Sequence, residues 1–327
     1  MFEQFGLLGN AVVLLVSLLV LSKASDSTIT NSIRVADITG LSQTTVGFIL
    51  VAFSTSLPEL FVAVFSVIHP DTIGVSIGNV LGSNIVNICL ILGTCFLLLS
   101  FKNKDKTSYL PSIAREDTKS LNFGLFAASI VPLTLLYVGY ASQFIGIILL
   151  VVFIFYLYQL SKVRKTKEEG SLGEETKKLR RYGFLAFLGA VGVVVCAFFI
   201  VESASYLASS IGIPKVIIGA TVVAFGTSVP ELATSVGSVR KGHLDLALGN
   251  IVGSCFINIT CILGVTLVAS PFRVNMAAFA DLAIFSLIVN VIFWYMLSNE
   301  RVGWREGAIL LFLYTLFLVT SFSGYRF

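Results

Sequence analysis

Charge is scarce in this chain: only 12% of its 327 residues are Asp, Glu, Lys or Arg, against 56% that are hydrophobic. That balance excludes a water-soluble globule with a polar surface and indicates a polytopic membrane protein. Histidine is scarcer still, with His69 and His243 alone, both in short polar breaks between apolar runs. A transition-metal centre, which draws on His and Cys, has little to work with. Cys89, Cys95, Cys196, Cys255 and Cys261 all fall within apolar runs and form no CxxC pair. They read as packing residues, with neither zinc nor a disulfide implied. The alternation of polar and apolar residues that barrel strands need is missing too. No basic residue precedes the first apolar run and no small-residue cleavage pattern follows it, so that run reads as a retained helix.

What the chain does have is about ten continuous apolar runs, and a bilayer-spanning helix needs roughly 20 such residues. They cover approximately 6–21, 42–68, 72–99, 121–138, 144–161, 183–201, 215–239, 244–269, 277–297 and 304–322. The basic residues follow this topology. Of the 22 Lys and Arg, all but Lys215, Arg273 and Arg326 lie in or at the edge of the connections after the odd-numbered runs. By the positive-inside rule those connections face the cytoplasm, which puts both termini outside and suits a multi-pass protein of the plasma membrane. The densest charged stretch, "SKVRKTKEEGSLGEETKKLRR" from Ser161 to Arg181, interleaves acids and has no aromatic until Tyr182. It reads as a solvated cytoplasmic loop, not a nucleic-acid surface. Glu202, at the outer end of the sixth run, lines an external vestibule or is a solvated helix-end acid; Asp281 sits near enough to its run's end to be interfacial.

"VAFSTSLPEL" begins at Val51 and "VAFGTSVPEL" at Val223. Gly47 to Val67 aligns with Gly219 to Val239 at an offset of 172 residues, and Gly78 to Gly93 with Gly249 to Gly264 at an offset of 171. Five helices separate equivalent positions, and an odd number of crossings inserts the second copy upside down. The expected fold is an all-α polytopic membrane protein of about ten transmembrane helices, built as two inverted five-helix repeats with the second and seventh helices broken. Residues 1–161 form the first repeat, 162–181 the cytoplasmic linker and 182–327 the second repeat. A monomer is the expected functional unit, with the lipid bilayer around it and no nucleic-acid partner.

Proline cannot donate to the carbonyl four residues back and its ring clashes with it, so Pro58 releases Ser54, Pro230 releases Gly226, and each helix breaks. Irregular backbone at membrane depth is tolerated only where it is buried in protein or lines a wet cavity. Glu59 and Glu231 follow these breaks directly, and an ionised carboxylate at mid-bilayer costs roughly 2.5–3.5 kcal/mol even on the lenient insertion scale. No Lys or Arg lies near them in the second, third, seventh or eighth runs. A mobile cation is the simplest compensation; a pair of protonated, hydrogen-bonded glutamates is the alternative.

The next helix in each half adds oxygen: "GNVLGSNIVNI" from Gly78 and "GNIVGSCFINI" from Gly249. Ser83 and Asn87 are four apart, as are Ser254 and Asn258, so each pair shares a helical face. Gly78 with Gly82, and Gly249 with Gly253, make small surfaces for close helix approach. The inventory is the two carboxylates, the hydroxyls of Thr55, Ser56, Ser83, Thr227, Ser228 and Ser254, the amides of Asn87 and Asn258, and freed carbonyls. An all-oxygen set is hard-cation chemistry; calcium takes six to eight oxygens in flexible geometry, whereas magnesium demands a tighter octahedron.

At these residues the sequence resembles the cation/calcium exchanger superfamily, and most closely the prokaryotic members of its sodium/calcium exchanger branch. "GTSVPEL", its partner "STSLPEL" and the two "GN...GS...N" helices carry the likeness. The resemblance implies a secondary antiporter with one central site where calcium and sodium compete, and no cofactor. It assigns calcium to Glu59 and Glu231, supported by Thr55, Thr227 and the carbonyls of Ala52 and Ala224. Sodium would also draw on Ser56, Ser83, Ser228 and Ser254. Some relatives, potassium-dependent exchangers among them, carry aspartate at one of the positions held by Asn87 and Asn258; two amides here argue against potassium co-transport. The resemblance further suggests that the first and sixth helices slide across the rest. A proton/calcium antiporter is the nearest alternative, although that branch places a glutamate soon after its "GN" and this chain does not. A cation channel is more remote, since internal inverted repeats favour alternating access. A membrane enzyme is weaker again, because "FGTSVPE" lacks the GxSxG spacing and no histidine is in reach of Ser228.

Overall fold

The structure is a computed structural model that describes residues 6–39, 48, 51–68, 73–102, 107–109, 115–138, 140–161, 172–210, 215–242, 244–270, 272–273, 276–298 and 301–323. His69, His243 and the first half of the expected linker, 162–171, lie outside the described residues. The described chain is nearly all helical. In the first repeat the helices are α1 (Gly6–Thr39), α2 (Ala52–Thr55), α3 (Leu57–Ile68), α4 (Ile73–Ile85), α5 (Gly93–Lys102), α6 (Arg115–Val138) and α7 (Gln143–Ser161), with a π-helical segment, π1 (Val86–Leu92), between α4 and α5. The second repeat follows with α8 (Leu172–Ser210), α9 (Lys215–Ile218), π2 (Gly219–Val223), α10 (Ala224–Thr227), α11 (Val229–Lys241), α12 (Leu244–Ile257), π3 (Asn258–Ile262), α13 (Leu263–Ala269), α14 (Met276–Ser298) and α15 (Trp304–Ser323).

The apolar stretches at Ile73–Phe101, Leu246–Ala269, Phe279–Ser298 and Trp304–Ser321 are long enough to cross a membrane, and shorter apolar helices run beside them. Large apolar side chains such as Leu8, Phe126, Phe144 and Phe312 face outward. On a soluble protein such a girdle would aggregate; here it meets lipid, so the chain is an integral, multi-pass membrane protein.

Two ribbons of two or three residues tie the repeats together. Strand β1 (Thr107–Tyr109) pairs antiparallel with β4 (Arg301–Gly303), and β2 (Tyr140–Ala141) with β3 (Phe272–Arg273). The first ribbon joins the connection after the third apolar run to that after the ninth; the second joins those after the fourth and eighth. Each therefore pairs connections that an alternating topology places on one side of the membrane.

α1 and α8 are longer than their apolar runs. The run expected at 6–21 continues as helix to Thr39, and that expected at 183–201 spans Leu172–Ser210. Residues 172–181, expected as loop, are thus helical, because Glu, Lys, Leu and Arg are good helix formers even where no membrane holds them. Glu202 consequently lies inside α8, half-buried, and not at a helix end. The two long helices pack antiparallel: Arg34 stacks on the Tyr182 ring at 4.9 Å, and Gly192 lies against Ala24.

The pair has its own small aliphatic interface with the rest. Leu14, Leu21, Cys196 and Ile200 cluster there with Val62, Val75, Ile218 and Val223. The main core lies elsewhere, around α4, π1, α12, π3 and α14, where Ile85, Leu92, Phe96, Phe256 and Phe293 are wholly buried.

Candidate ion-binding site

The two broken helices are near-copies. α2 ends at Thr55, Ser56 turns with φ −81° and ψ 4°, and α3 starts at Leu57; α10 ends at Thr227, Ser228 turns with φ −84° and ψ 4°, and α11 starts at Val229. Pro58 and Pro230 thereby occupy the first turn of a new helix, where an amide proton has no intrahelical partner to lose. The same geometry sets Glu59 and Glu231 in that first turn, where the helix dipole favours negative charge. Both are no more than 1% exposed.

Glycine brings the halves together. A Cβ on Gly82 would collide with the backbone of Ala220, and one on Gly253 would sit 2.8 Å from Phe48 O and from Ala52 Cβ. Each "GS" helix therefore lies against the broken helix of the opposite half, and the polar residues that follow these glycines meet across the seam.

Thr55 Oγ1, from the first half, lies 3.2 Å from Asn250 Oδ1 and 3.5 Å from Ser254 Oγ of the second. Reciprocally, Thr227 Oγ1 donates to Asn79 Oδ1 at 3.1 Å, and Ser228 Oγ donates to Glu59 Oε1 at 3.4 Å. Ser254 Oγ donates to Glu231 Oε1 at 3.3 Å, Ser83 Oγ to Asn79 Oδ1 at 3.4 Å, and Asn258 Nδ2 to Asn84 Oδ1 at 3.1 Å. Glu59 also faces Thr227 and Ser83, and Glu231 faces Thr55 and lies within electrostatic reach of Glu59.

The Ala52 and Ala224 carbonyls line the same turns, but both already accept hydrogen bonds. Ser56 N–H donates to Ala52 O at 2.9 Å and Ser228 N–H to Ala224 O at 3.0 Å. Thr55 Oγ1 lies 3.1 Å from Ala52 O, and Thr227 Oγ1 lies 3.4 Å from Ala224 O. Thr55 has one hydroxyl proton and also faces Val51 O at 3.0 Å, so acceptors around it outnumber protons.

Partnerless polar atoms run through the whole layer. Glu59 Oε2, Glu231 Oε2, Ser56 Oγ, Asn258 Oδ1, both amide atoms of Asn87, and the nitrogens Asn79 Nδ2 and Asn84 Nδ2 are buried with no hydrogen-bond partner among the described residues. Each such group costs about 1–3 kcal/mol, and more when charged. Most of these atoms are oxygens with lone pairs to offer, so the group that would satisfy them is a cation. Among the described residues no three His, Cys, Asp or Glu side chains converge, so such a cation would be held mainly by hydroxyls and amides around two carboxylates. The five cysteines are buried and unpaired.

Asn79, Asn84, Asn250 and Ser235 belong to this polar layer, although the motif reading gave them no role. Asn250 Nδ2 donates to Ser235 Oγ at 3.1 Å while its oxygen faces Thr55. The available signal was the asparagine in each "GN": an amide at mid-span needs partners just as a carboxylate does.

Known proteins resemble this chain along most of its length. The family model described as "Sodium/calcium exchanger protein" matches residues 9–162 and 182–323. Inner membrane protein YrbG of Escherichia coli K12 is 32% identical over 264 residues, 78% of each chain. Sodium/calcium exchanger MaX1 of Methanosarcina acetivorans is 29% identical over 354 residues, covering 96% of this chain and 98% of the relative. A solved structure of the sodium-calcium exchanger NCX_Mj, soaked with 10 mM Na+ and zero Ca2+, superposes with a TM-score of 0.71 at 27% identity, covering 94% of this chain and 97% of that one. Matched by the family model across both repeats, the chain belongs to the sodium/calcium exchanger protein family.

Proposed function

We propose that the protein is a secondary antiporter that exchanges sodium for calcium through one central site, opened alternately to each side of the membrane. The observation that carries this reading is the set of buried, partnerless oxygens contributed by both inverted halves, led by Glu59 Oε2 and Glu231 Oε2. In this reading Glu59 and Glu231 hold calcium with Thr55, Thr227 and the carbonyls of Ala52 and Ala224. Ser56, Ser83, Ser228 and Ser254 extend the site for sodium, and Asn87 and Asn258 complete it.

Obligatory exchange follows from the charge. A bound cation offsets two carboxylates, so the bundle can rearrange around it; bare carboxylates in a low-dielectric seam resist that rearrangement. The α1–α8 pair is the moving part in this reading, supported by its separate aliphatic interface. The basic connections place both termini outside, the plasma membrane is the site of action, and one chain encloses the whole site.

Sodium-gradient-driven uptake of radioactive calcium into proteoliposomes tests the proposal. Uptake is expected only with sodium on the side opposite to calcium. Calcium entry without any countergradient would instead indicate a channel, and uptake driven by a proton gradient alone would indicate a proton antiporter.

A further inference from the structure

The two helices that carry the glutamates present unlike faces to the α1–α8 pair. Leu57, Phe61, Val62 and Phe65 of α3 align with Val229, Ala233, Thr234 and Gly237 of α11. α8 packs on α3, and α1 packs on α11. On α3, Val62 is wholly buried, Leu57 and Phe61 pack against the same aliphatic cluster, and Phe65 meets the Phe198 ring edge-on at 5.4 Å. On α11, Ala233 is exposed, Thr234 is half-buried, and Gly237 has open space where a Cβ would stand. Among the described residues, α11 adds none to that cluster.

The cluster also lies to one side of the site. Besides Val62 it holds Val75 at the start of α4, Ile218 in α9, and Cys196 and Ile200 in the second half of α8, with Leu14 and Leu21 of α1 as the facing wall. In the alternating topology of the basic connections, α3, the start of α4, α9 and the second half of α8 lie toward the outer face, whereas α11 runs from Glu231 to the cytoplasmic end. Apolar side chains packed on one another must be parted and wetted before an ion can pass between them, and the cost grows with the area wetted. A face of alanine, threonine and glycine carries little of that cost. At the centre both approaches are shut: Gly226 faces Leu18 of α1, and neither glutamate is more than 1% exposed. The difference lies in what stands between that centre and each side.

We propose that the two approaches have unequal gates: the approach along α3 is closed by an apolar plug, Val62 and Phe65 against α8, and the approach along α11 has no such plug, so the ion-free protein admits water, and then its ion, from the cytoplasmic side. The physiological meaning rests on the exchanger reading; the unequal hydration does not.

Aligned cysteines of similar size to the residues they replace read the two gates. The five native cysteines are buried, so the wild type sets the baseline for labelling by a water-soluble, membrane-impermeant maleimide. In the whole chain, detergent-solubilised and free of sodium and calcium, Thr234→Cys should label at least about 10-fold faster than Val62→Cys, because labelling of a shielded thiol reports the free energy of local opening. In sealed vesicles Thr234→Cys should label from the cytoplasmic face. Adding Phe65→Ala should speed labelling of Val62→Cys by about 2- to 10-fold, the worth of one aromatic pair, and leave Thr234→Cys unchanged. Equal rates at the two cysteines, faster labelling of Val62→Cys, or labelling of Thr234→Cys only from the outer face would each overturn the proposal. So would a Phe65→Ala change that leaves Val62→Cys unaltered, or one that speeds both cysteines alike as a general packing defect does. Wild type that binds calcium but shows no sodium-driven exchange would remove the exchanger reading, and the labelling rates would still decide this inference.

Discussion

The two halves repeat one another closely in backbone, yet their side chains differ at many aligned positions, three of which change what supports the broken helices. Where the second half has Ser235 to receive Asn250 Nδ2, the first has Ala63, and Asn79 Nδ2 is left without a partner among the described residues. Where the first has Ser54, the second has Gly226, and a Cβ there would meet Leu18 Cδ2 of α1 at 2.5 Å. Where the first has Phe65, in ring contact with Phe198 of α8 at 5.4 Å, the second has Gly237 with open space beside it. The carboxylates, the serine turns and the threonines are duplicated; the supports around them are not. Under the proposed exchange an ion needs two equivalent routes to one site but not two equivalent walls, which fits a duplication kept at the carboxylates and lost in their supports.

The largest test of that symmetry is removal of one charge. Glu59→Gln and Glu231→Gln should each reduce calcium uptake about 100-fold or more, since taking one partner from a buried ionic cluster costs roughly 3–5 kcal/mol. Size-exclusion profiles should remain those of the wild type. Robust exchange in either variant would break the equivalence and remove that glutamate from the site. Acidification probes both carboxylates at once. A proton and a cation need the same oxygens, so lowering pH should raise the calcium KM, by up to about tenfold per pH unit for each proton displaced. Saturating calcium should restore the rate, and a flat profile between pH 8 and pH 5, on the order of three units, would contradict competition at these carboxylates.

A smaller effect separates the walls. Ser235→Ala should destabilise the protein by about 1–3 kcal/mol by stranding Asn250 Nδ2, whereas Ala63→Ser should add about 1 kcal/mol by offering Asn79 a partner. Thermal melting in detergent reads both. Equal losses from the two substitutions would mean that Asn79 and Asn250 are satisfied alike, contrary to the asymmetry described above.

Much of this was legible in the sequence because the informative residues violate the expectations of a hydrophobic helix. Pro58, Glu59, Pro230 and Glu231 stand out in apolar runs, and their repetition at one offset marks two halves in the sequence itself. The glycines indicated close approach but not its target: that Gly82 meets Ala220 and Gly253 meets Phe48 is a property of the fold. The π-helical segments carrying Asn87 and Asn258 were not legible either, since one extra residue per turn leaves no compositional trace. Nor was the length of α1 and α8. Hydropathy reports where lipid is, and a charged helix running past the membrane looks to it like a loop. The second polar layer of Asn79 and Asn250 was visible as letters and silent as chemistry, because a single amide has no partner to name until the halves are folded together.

Gly237 gives the finest comparison. It lies inside α11, within Val229–Lys241, and a Cβ there would have nothing within 4 Å. Glycine in a helix interior costs about 0.5–1 kcal/mol relative to alanine through the freedom it retains when unfolded. With no clash to set against that gain, Gly237→Ala should stabilise the protein by that amount and leave sodium-driven calcium uptake unchanged. At the aligned position Phe65 already fills its space against α8, so Phe65→Ala should have the opposite sign. If the α1–α8 pair slides during transport, α8 past α3 and α1 past α11, the two positions differ in another way: the phenylalanine contact is one to be broken and the glycine gap is clearance. A Gly237→Phe variant, melting no lower than wild type but exchanging more slowly, would locate that clearance on α11; unimpaired exchange would show that the gap has no part in the motion.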